Sequence, residues 1–266
     1  MKMRESRVLR QIRDGKVATS IKLNMADPRI AEAAAMCGFD CIWTDMEHVP
    51  NDFNVVENII RAAKISDADT LVRVPKGSYC DYIRPLEIDA AGIMIPHVMS
   101  LKEAQEIVYF TKFHPIGRRP IDGGNADTRY TTVSTEDYIR QANEQRFVVI
   151  QIEDPEPMAE LDEICKLEGI DMIFFGPGDY SHAIGCPVAG GSDPRVQDAR
   201  KRVAYTARKY GKMAGTVGSL QNQDALIAEG YQFINLGADI LSLVNYFGKI
   251  AEEGGNKPAA SSELFK

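Results

Sequence analysis

Hydrophobic positions along the chain gather into eight short runs, at residues 17–23, 41–44, 70–72, 92–95, 147–152, 172–175, 213–217 and 233–236. Each run is of strand length and rich in β-branched or aromatic residues. Turn residues bound it, so each reads as a buried strand. The intervening segments carry helical patterns at 4–14, 29–36, 53–65, 79–88, 101–113, 135–144, 156–168, 194–210, 219–229 and 239–251. Asp27-Pro28 and Ser100 stand where helix caps belong, a side-chain oxygen at N-cap and proline at the first helical position. Two long irregular stretches, 114–134 and 178–193, interrupt the alternation. Loops of that length in a compact domain usually serve function.

Eight strands, each followed by helix and with no linker-like break, predict an α/β protein built as a single (β/α)8 TIM barrel over 1–252. The remainder, 253–266, is small and polar and predicts a flexible C-terminal tail. A doubly wound sheet is the competing topology. It calls for a glycine-rich phosphate turn after the first strand, where this chain has Asn24-Met25-Ala26-Asp27.

Composition narrows the picture. The net charge of −7 argues against a nucleic-acid partner. The charged N-terminus lacks the apolar core of a signal peptide, and no apolar run approaches membrane-spanning length. The five cysteines, Cys37, Cys41, Cys80, Cys165 and Cys186, include no Cys-x-x-Cys pair. They predict reduced thiols and a cytoplasmic protein rather than a zinc site or disulfide frame.

Chemistry collects where the runs end. The fifth strand leads into Gln151-Ile152-Glu153-Asp154 and the sixth into Gly176-Pro177-Gly178-Asp179. Carboxylates at neighbouring strand ends can share one hard cation, since Mg²⁺ takes one or two carboxylates plus water and substrate oxygens. We therefore expect Glu153 and Asp179 to hold a divalent metal that binds a 2-oxo acid. The competing reading of each acid is a helix cap or solvated loop residue. Gly176 and Gly178 leave backbone N–H groups open to a substrate carboxylate, or else form a tight turn without a ligand. His48 is a candidate general base, with Asp45 three residues earlier to orient it. Arg73 offers a bidentate fork to an oxyanion, or a structural ion pair across the mouth. Lys22 could form a Schiff base with a carbonyl substrate; the favoured alternative is a packed stem with a solvated amine. His97, His114 and His182 lack ligand spacing and read as peripheral.

These motifs resemble the HpcH/HpaI aldolase/citrate lyase family of metal-dependent pyruvate aldolases. The resemblance covers about 15–250, in ADPRIAEAAAMCGFDCIWTDMEHVPND, LVRVP, GIMIPHV, QIED and DMIFFGPGDYSHAIG. The last is similar to the family's Gly-Pro-x-Asp-Leu-Ser signature, with Tyr180 for Leu. It implies that Glu153 and Asp179 ligate Mg²⁺ or Mn²⁺ and that pyruvate chelates the ion. His48, paired with Asp45, would handle protons through water at the metal. Arg73 would stabilise the keto or enolate oxygen. Gln151 would position the site, beside Gly176, Pro177 and Gly178. Glu87 would be contributed to a neighbouring subunit's site, in a homohexamer built as a trimer of dimers that exchange terminal helices.

The implied reaction is reversible cleavage of a 4-hydroxy-2-oxo acid to pyruvate and an aldehyde. The rivals are a CoA-thioester lyase, for which no basic cluster is evident, and a catalytically silent barrel acting in assembly. Lys22 and Asn24 depart from the family's apolar residue and glycine, and the segments GRRPIDGGNADTRY and CPVAGGSDPRV depart as well. All are expected to border the aldehyde, where Lys22, Arg118, Arg119 and Arg129 suggest an acidic or polyhydroxylated acceptor.

Overall fold

The computed structural model describes residues 1–256. Its eight strands are β1 (Ala18–Leu23), β2 (Cys41–Asp45), β3 (Asp69–Arg73), β4 (Gly92–Ile95), β5 (Phe147–Ile152), β6 (Met172–Phe175), β7 (Met213–Val217) and β8 (Phe233–Ala238). All pair in parallel and close, β8 onto β1, into one barrel. Every residue of β2 to β6 is buried, which is why these strands read as unbroken apolar runs rather than alternating ones.

Helices α1 (Arg7–Arg13), α2 (Pro28–Met36), α3 (Phe53–Lys64), α4 (Tyr79–Glu87), α5 (Leu101–Thr111) and α6 (Thr135–Gln145) lie close to their expected spans. So do α9 (Pro194–Lys209) and α11 (Asp239–Glu253). Three segments differ. The expected helix at 156–168 is a 3₁₀ turn, Glu156–Ala159, followed by a short α7 (Leu161–Lys166); Pro157 in the turn has no backbone donor to extend it. The loop expected from 178 opens with α8 (Pro177–Ala183), capped by Gly176 with Pro177 at its first position. Helix α10 is confined to Gln223–Ala228. Residues 257–266, most of the tail expected from 253, lie outside the described residues.

Inward-facing side chains at two-residue spacing fill the barrel: Ala18, Cys41, Trp43, Leu71, Met94, Phe147, Val149, Met172, Phe174, Met213 and Phe233 form one cluster. A second cluster packs the outer faces of the strands against the helices, with Val72, Ile93, Ile150, Ile173 and Ile234 among its members. Gly92 and Gly215 make room inside. An added Cβ would meet the Phe147 ring at 2.2 Å in the first case and Phe174 at 2.7 Å in the second.

Carrying the same spacing toward the strand C-termini changes the chemistry of the inward positions. Trp43 gives way to Asp45, Leu71 to Arg73, Val149 to Gln151, and Ser20 to Lys22. Register then places Arg73 directly opposite Asp45 and Lys22 opposite Trp43. The polar layer is thus a product of strand alternation and register.

At the other end of the barrel, the loop 114–134 folds beneath the strands with the N-terminal residues. Met3, Phe113, Val133, Tyr138 and Ala142 share a small core there, and Gln141 Oε1 accepts from Met3 N–H at 2.8 Å. Helix α11 departs from the pattern of the others: only Asp239 is buried, while Ile240, Leu241, Val244, Tyr246, Phe247 and Ile250 are exposed.

Candidate active site

Asp45 is the hinge of the polar layer. It ends β2 fully buried. Arg73 reaches it as a fork, Nε donating to Oδ1 at 3.0 Å and Nη2 to Oδ2. Lys22 Nζ meets Oδ2 at 2.8 Å, and the Glu47 backbone N–H donates to Oδ1 at 3.0 Å. Burial opposes ionisation of Asp45, but the hydrogen bonds and charges of Arg73 and Lys22 outweigh it and hold the carboxyl far below its usual range. Arg73 is buried too. Desolvation disfavours its charge, yet Asp45, then Glu47 and Glu153, push its pKa above the ordinary value. Its guanidinium lies 5.2 Å from the Trp43 ring centroid, a cation–π contact.

Asp45 therefore does not pair with His48, as expected from their spacing. Its carboxylate is taken by the groups that register brings opposite it and beside it. His48 instead lies 3.5 Å from Glu47 Oε2, with its side chain 56% exposed at the rim. Asn51 anchors this turn by donating to the Asp45 carbonyl at 2.9 Å. Nor is the Lys22 amine free in solvent; it is held against Asp45.

Across the mouth, Glu153 is 1% exposed. Gln151 Nε2 donates to its Oε2 and the His97 backbone N–H to its Oε1, the latter at 2.9 Å. His97 adopts φ 48° to make that contact, a left-handed conformation uncommon outside glycine. Its Nδ1 lies 2.8 Å from Asp154 Oδ2, and its Nε2 lies 3.8 Å from both Glu47 and Glu153. Burial works against the imidazolium, but Asp154, Glu153 and Glu47 together raise the His97 pKa. Burial also pushes the Glu153 carboxyl up to about 7, against the His97 contacts and with help from the charge of Asp179. Asp179 is exposed in the first turn of α8. Gly176 is required for this packing, because a Cβ there would meet Glu153 Oε2 at 2.8 Å and Gln151 Nε2 at 3.0 Å.

The mouth thus joins Lys22, Asp45, Arg73, Gln151, Glu153 and the Gly176-Pro177-Gly178-Asp179 turn. His97, expected to be peripheral, supports Glu153 in the same network, and Glu47 and Asp154, to which no role was assigned, belong to it as well. The signals were their positions: Glu47 two residues past Asp45, Asp154 next to Glu153, and His97 two residues past the end of β4. Three expectations for the acceptor side change. Arg119 is buried under the barrel, donating to Asp127 at 2.9 Å and to Tyr138 Oη at 3.0 Å, with Phe113 stacked on it. Arg118 is an exposed residue of the same loop. Arg129 lines a separate cavity with Arg4, Arg61 and Lys64. Within one chain this loop cannot border the mouth, since it follows α5 back to the end where strands begin. Glu87 lies at that end as well, closing α4. Desolvation raises its pKa, with the charge of Arg119 opposing and that of Asp127 adding to the rise.

Oxygen donors dominate the mouth, and they fit a hard divalent cation. Asp179 is near enough for its charge to disfavour that of Glu153, and Gln151 Oε1 is buried without a hydrogen-bond partner among the described residues. No cluster of three or more His, Cys, Asp or Glu ligands occurs among the described residues. The protein would supply two carboxylates, which suits Mg²⁺ or Mn²⁺ and does not suit structural zinc.

Comparison with known proteins agrees with this geometry. The sequence profile described as HpcH/HpaI aldolase/citrate lyase matches residues 21–245. A hydroxypyruvate/pyruvate aldolase of Pseudomonas aeruginosa is 30% identical, over 98% of each chain. A 2-keto-3-deoxy-L-rhamnonate aldolase of Salmonella gallinarum is 30% identical, over 86% of each. The crystal structure of an HpcH/HpaI aldolase from Desulfitobacterium hafniense superposes with a TM-score of 0.87 at 26% identity, covering 94% of this chain and 97% of that one.

Proposed function

Because the chain belongs to the HpcH/HpaI aldolase/citrate lyase family and is a carbon–carbon lyase of the aldolase kind, we propose that its mouth cleaves a 4-hydroxy-2-oxo acid reversibly to pyruvate and an aldehyde. Glu153 and Asp179 would hold the Mg²⁺ or Mn²⁺ on which the reaction depends. The observation that carries the reading is Glu153: a buried carboxyl, fixed by Gln151 and the His97 N–H, beside a second acid and with no Lys or Arg bonded to it among the described residues. When bound, the divalent cation supplies Lewis-acid polarisation of the keto group.

The chain's own residues divide the remaining work. Arg73 Nε and Nη2 are committed to Asp45, and Nη1 has no partner among the described residues. That free edge of a preorganised guanidinium would bind the keto oxygen and stabilise the charge it gains as the C3–C4 bond breaks. Asp45 and Glu47 fix the guanidinium plane, so no reorganisation is needed at that moment. His48, exposed at the rim, would take the proton from the C4 hydroxyl, with Glu47 orienting its ring. Gly178 has open space where a side chain would stand, leaving the first turn of α8 accessible to the pyruvate carboxylate beside Pro177. In the addition direction the same groups act in reverse order.

Glu87 faces away from the mouth of its own chain, and we assign it to a neighbouring chain's site in a hexameric trimer of dimers. The apolar face of α11 is the surface we assign to exchange between paired chains. No helix among the described residues is long and apolar enough to cross a membrane, and no cysteine is paired; we place the enzyme in the cytoplasm.

Release of pyruvate from a panel of 4-hydroxy-2-oxo acids, followed with Mg²⁺ or Mn²⁺ and again after EDTA, tests the reading. The expected result is cleavage that EDTA abolishes and Mn²⁺ restores. Cleavage that survives EDTA, together with borohydride trapping of substrate on Lys22, would replace it with Schiff-base chemistry.

A further inference from the structure

A cavity of about 450 Å³ opens beside the polar layer on the β7, β8, β1 and β2 side of the mouth, lined by Lys22, Asn24, Trp43, Arg73, Val217 and Asn235 among others. Gly237, near the end of β8, borders it without a side chain, and a Cβ added there would meet nothing within 4 Å. Glu153 and Asp179 end β5 and follow β6, so the cavity lies across the barrel from them.

The lining is charged in one sense only. It includes two cations, Lys22 and Arg73, and no Asp or Glu. Asp45 lies fully buried and serves both cations. Arg73 has a second carboxylate, Glu47, at 3.1 Å from Nε. Among the described residues Lys22 has only the one it shares. An ammonium carries three donors, and Asp45 uses one.

The other polar lining groups are less available. Asn235 accepts from Ser20 at 3.1 Å and donates to the Gly237 carbonyl at 3.0 Å. Asn24 is held through its backbone by Asp239 at 2.8 Å, while its side-chain amide makes no hydrogen bond among the described residues. Spare donors on this side therefore come from Lys22, with the Asn24 amide on the same strand end.

We infer that Lys22 is a specificity-determining residue, and that the cavity selects aldehydes carrying a carboxylate, which the Lys22 ammonium binds. The inference rests on the aldolase reading, which sets pyruvate between Arg73 and the two metal-binding acids and leaves this cavity for the aldehyde. A carboxylate there receives charge-assisted hydrogen bonds that a hydroxyl cannot match. It also gives Lys22 a counter-charge of its own, since Asp45 is shared with Arg73. Trp43, 5.6 Å from the Lys22 ammonium at its ring centroid, supplies an apolar wall for the carbons between carbonyl and carboxylate.

The test has two parts. Deuterium exchange into the pyruvate methyl, in D₂O with Mg²⁺ and no aldehyde, reports the pyruvate half-site alone. Addition of pyruvate to matched aldehydes, succinic semialdehyde and glyoxylate against butyraldehyde and glycolaldehyde, reports selectivity as a ratio of kcat/KM values. Wild type should exchange the methyl and favour the carboxylated aldehydes. Lys22→Met should reduce that ratio at least tenfold, chiefly through KM of the carboxylated partner, and Lys22→Arg should restore most of it. Exchange without carboxylate preference in wild type would overturn the inference and leave the aldolase reading standing. An equal fall for both aldehyde classes in Lys22→Met would do the same, reducing Lys22 to a support for Asp45. Absence of both exchange and addition would overturn the aldolase reading, and the inference with it.

Discussion

Asp45 shows how one side chain can decide the state of several others. It pairs with two cations in a layer with little access to water, and breaking such a buried pair leaves charge uncompensated, at a cost of about 3–5 kcal/mol. Asp45→Asn should therefore lower stability by that order and lower kcat as Arg73 loses its fixed plane, readable as a drop in Tm alongside steady-state kinetics. Arg73→Lys should lower kcat at least tenfold, since an ammonium cannot keep the fork on Asp45 and still present an edge to substrate. Glu153 titrates in the opposite sense from Asp45. Its folded pKa, about 7, stands above the ordinary carboxyl value of 4.5. Between those values the folded metal-free protein holds a proton that the unfolded chain has released. Its stabilising contribution is full below about pH 4.5 and is lost as pH rises through 7. The full difference is on the order of 3 kcal/mol, because each pKa unit corresponds to about 1.4 kcal/mol. Urea midpoints of EDTA-treated protein between pH 5 and 8 should fall with rising pH, and Glu153→Gln should flatten that slope. A slope unchanged by the substitution would remove Glu153 as its source.

Among the elements, the strands were legible and the site partners were not, for one physical reason. A strand buried on both faces writes itself as an apolar run, so β2, β4, β5, β6 and β7 fall within a residue of the runs that predicted them. Which inward residue meets which depends on register across strands, and sequence distance carries no trace of it. The spacing Asp45-x-x-His48 suggested a local pair, whereas register gave Asp45 to Arg73, 28 positions away. Arg119 misled in the same way, since the cluster of arginines around it says nothing about which end of the barrel the loop covers. Helix α8 was hidden because Gly-Pro-Gly reads as a turn, although proline at the first helical position also starts a helix. The β5 and β6 ends support a prediction of their own. Gly176→Ala would set a methyl within 2.8 Å of Glu153 Oε2, and this carboxylate must move or the strand end must yield. Mn²⁺ affinity, measured by titration calorimetry or EPR, should weaken at least tenfold while the circular dichroism of the barrel is retained. Unchanged Mn²⁺ binding would mean that Glu153 is not a ligand.

For the whole molecule, a single chain leaves two features without a use. Helix α11 shows Leu241, Val244, Phe247 and Ile250 to solvent, an apolar face of the kind that marks an interaction surface. Glu87 and the loop 114–134 carry polar groups at the end of the barrel remote from their own mouth. A symmetric assembly accounts for both, because a rotation axis can bring the far end of one chain to the mouth of its neighbour while each α11 is covered by its partner. The two halves of that statement can be separated experimentally. Val244→Asp with Phe247→Asp should shift native mass spectra toward smaller species and make the remaining Tm depend on protein concentration. Shared sites require more than association, and mixing tests them. If Glu87 serves a neighbour, Glu87→Ala and Arg73→Ala are each nearly inactive alone, but co-expressed chains form mixed pairs in which one site receives both intact residues. Random pairing of equal amounts in a two-fold arrangement would return about a quarter of wild-type sites. Recovery near that fraction would place Glu87 across the interface, whereas none, with mixed oligomers confirmed by mass, would confine each site to a single chain and leave Glu87 without a part in catalysis.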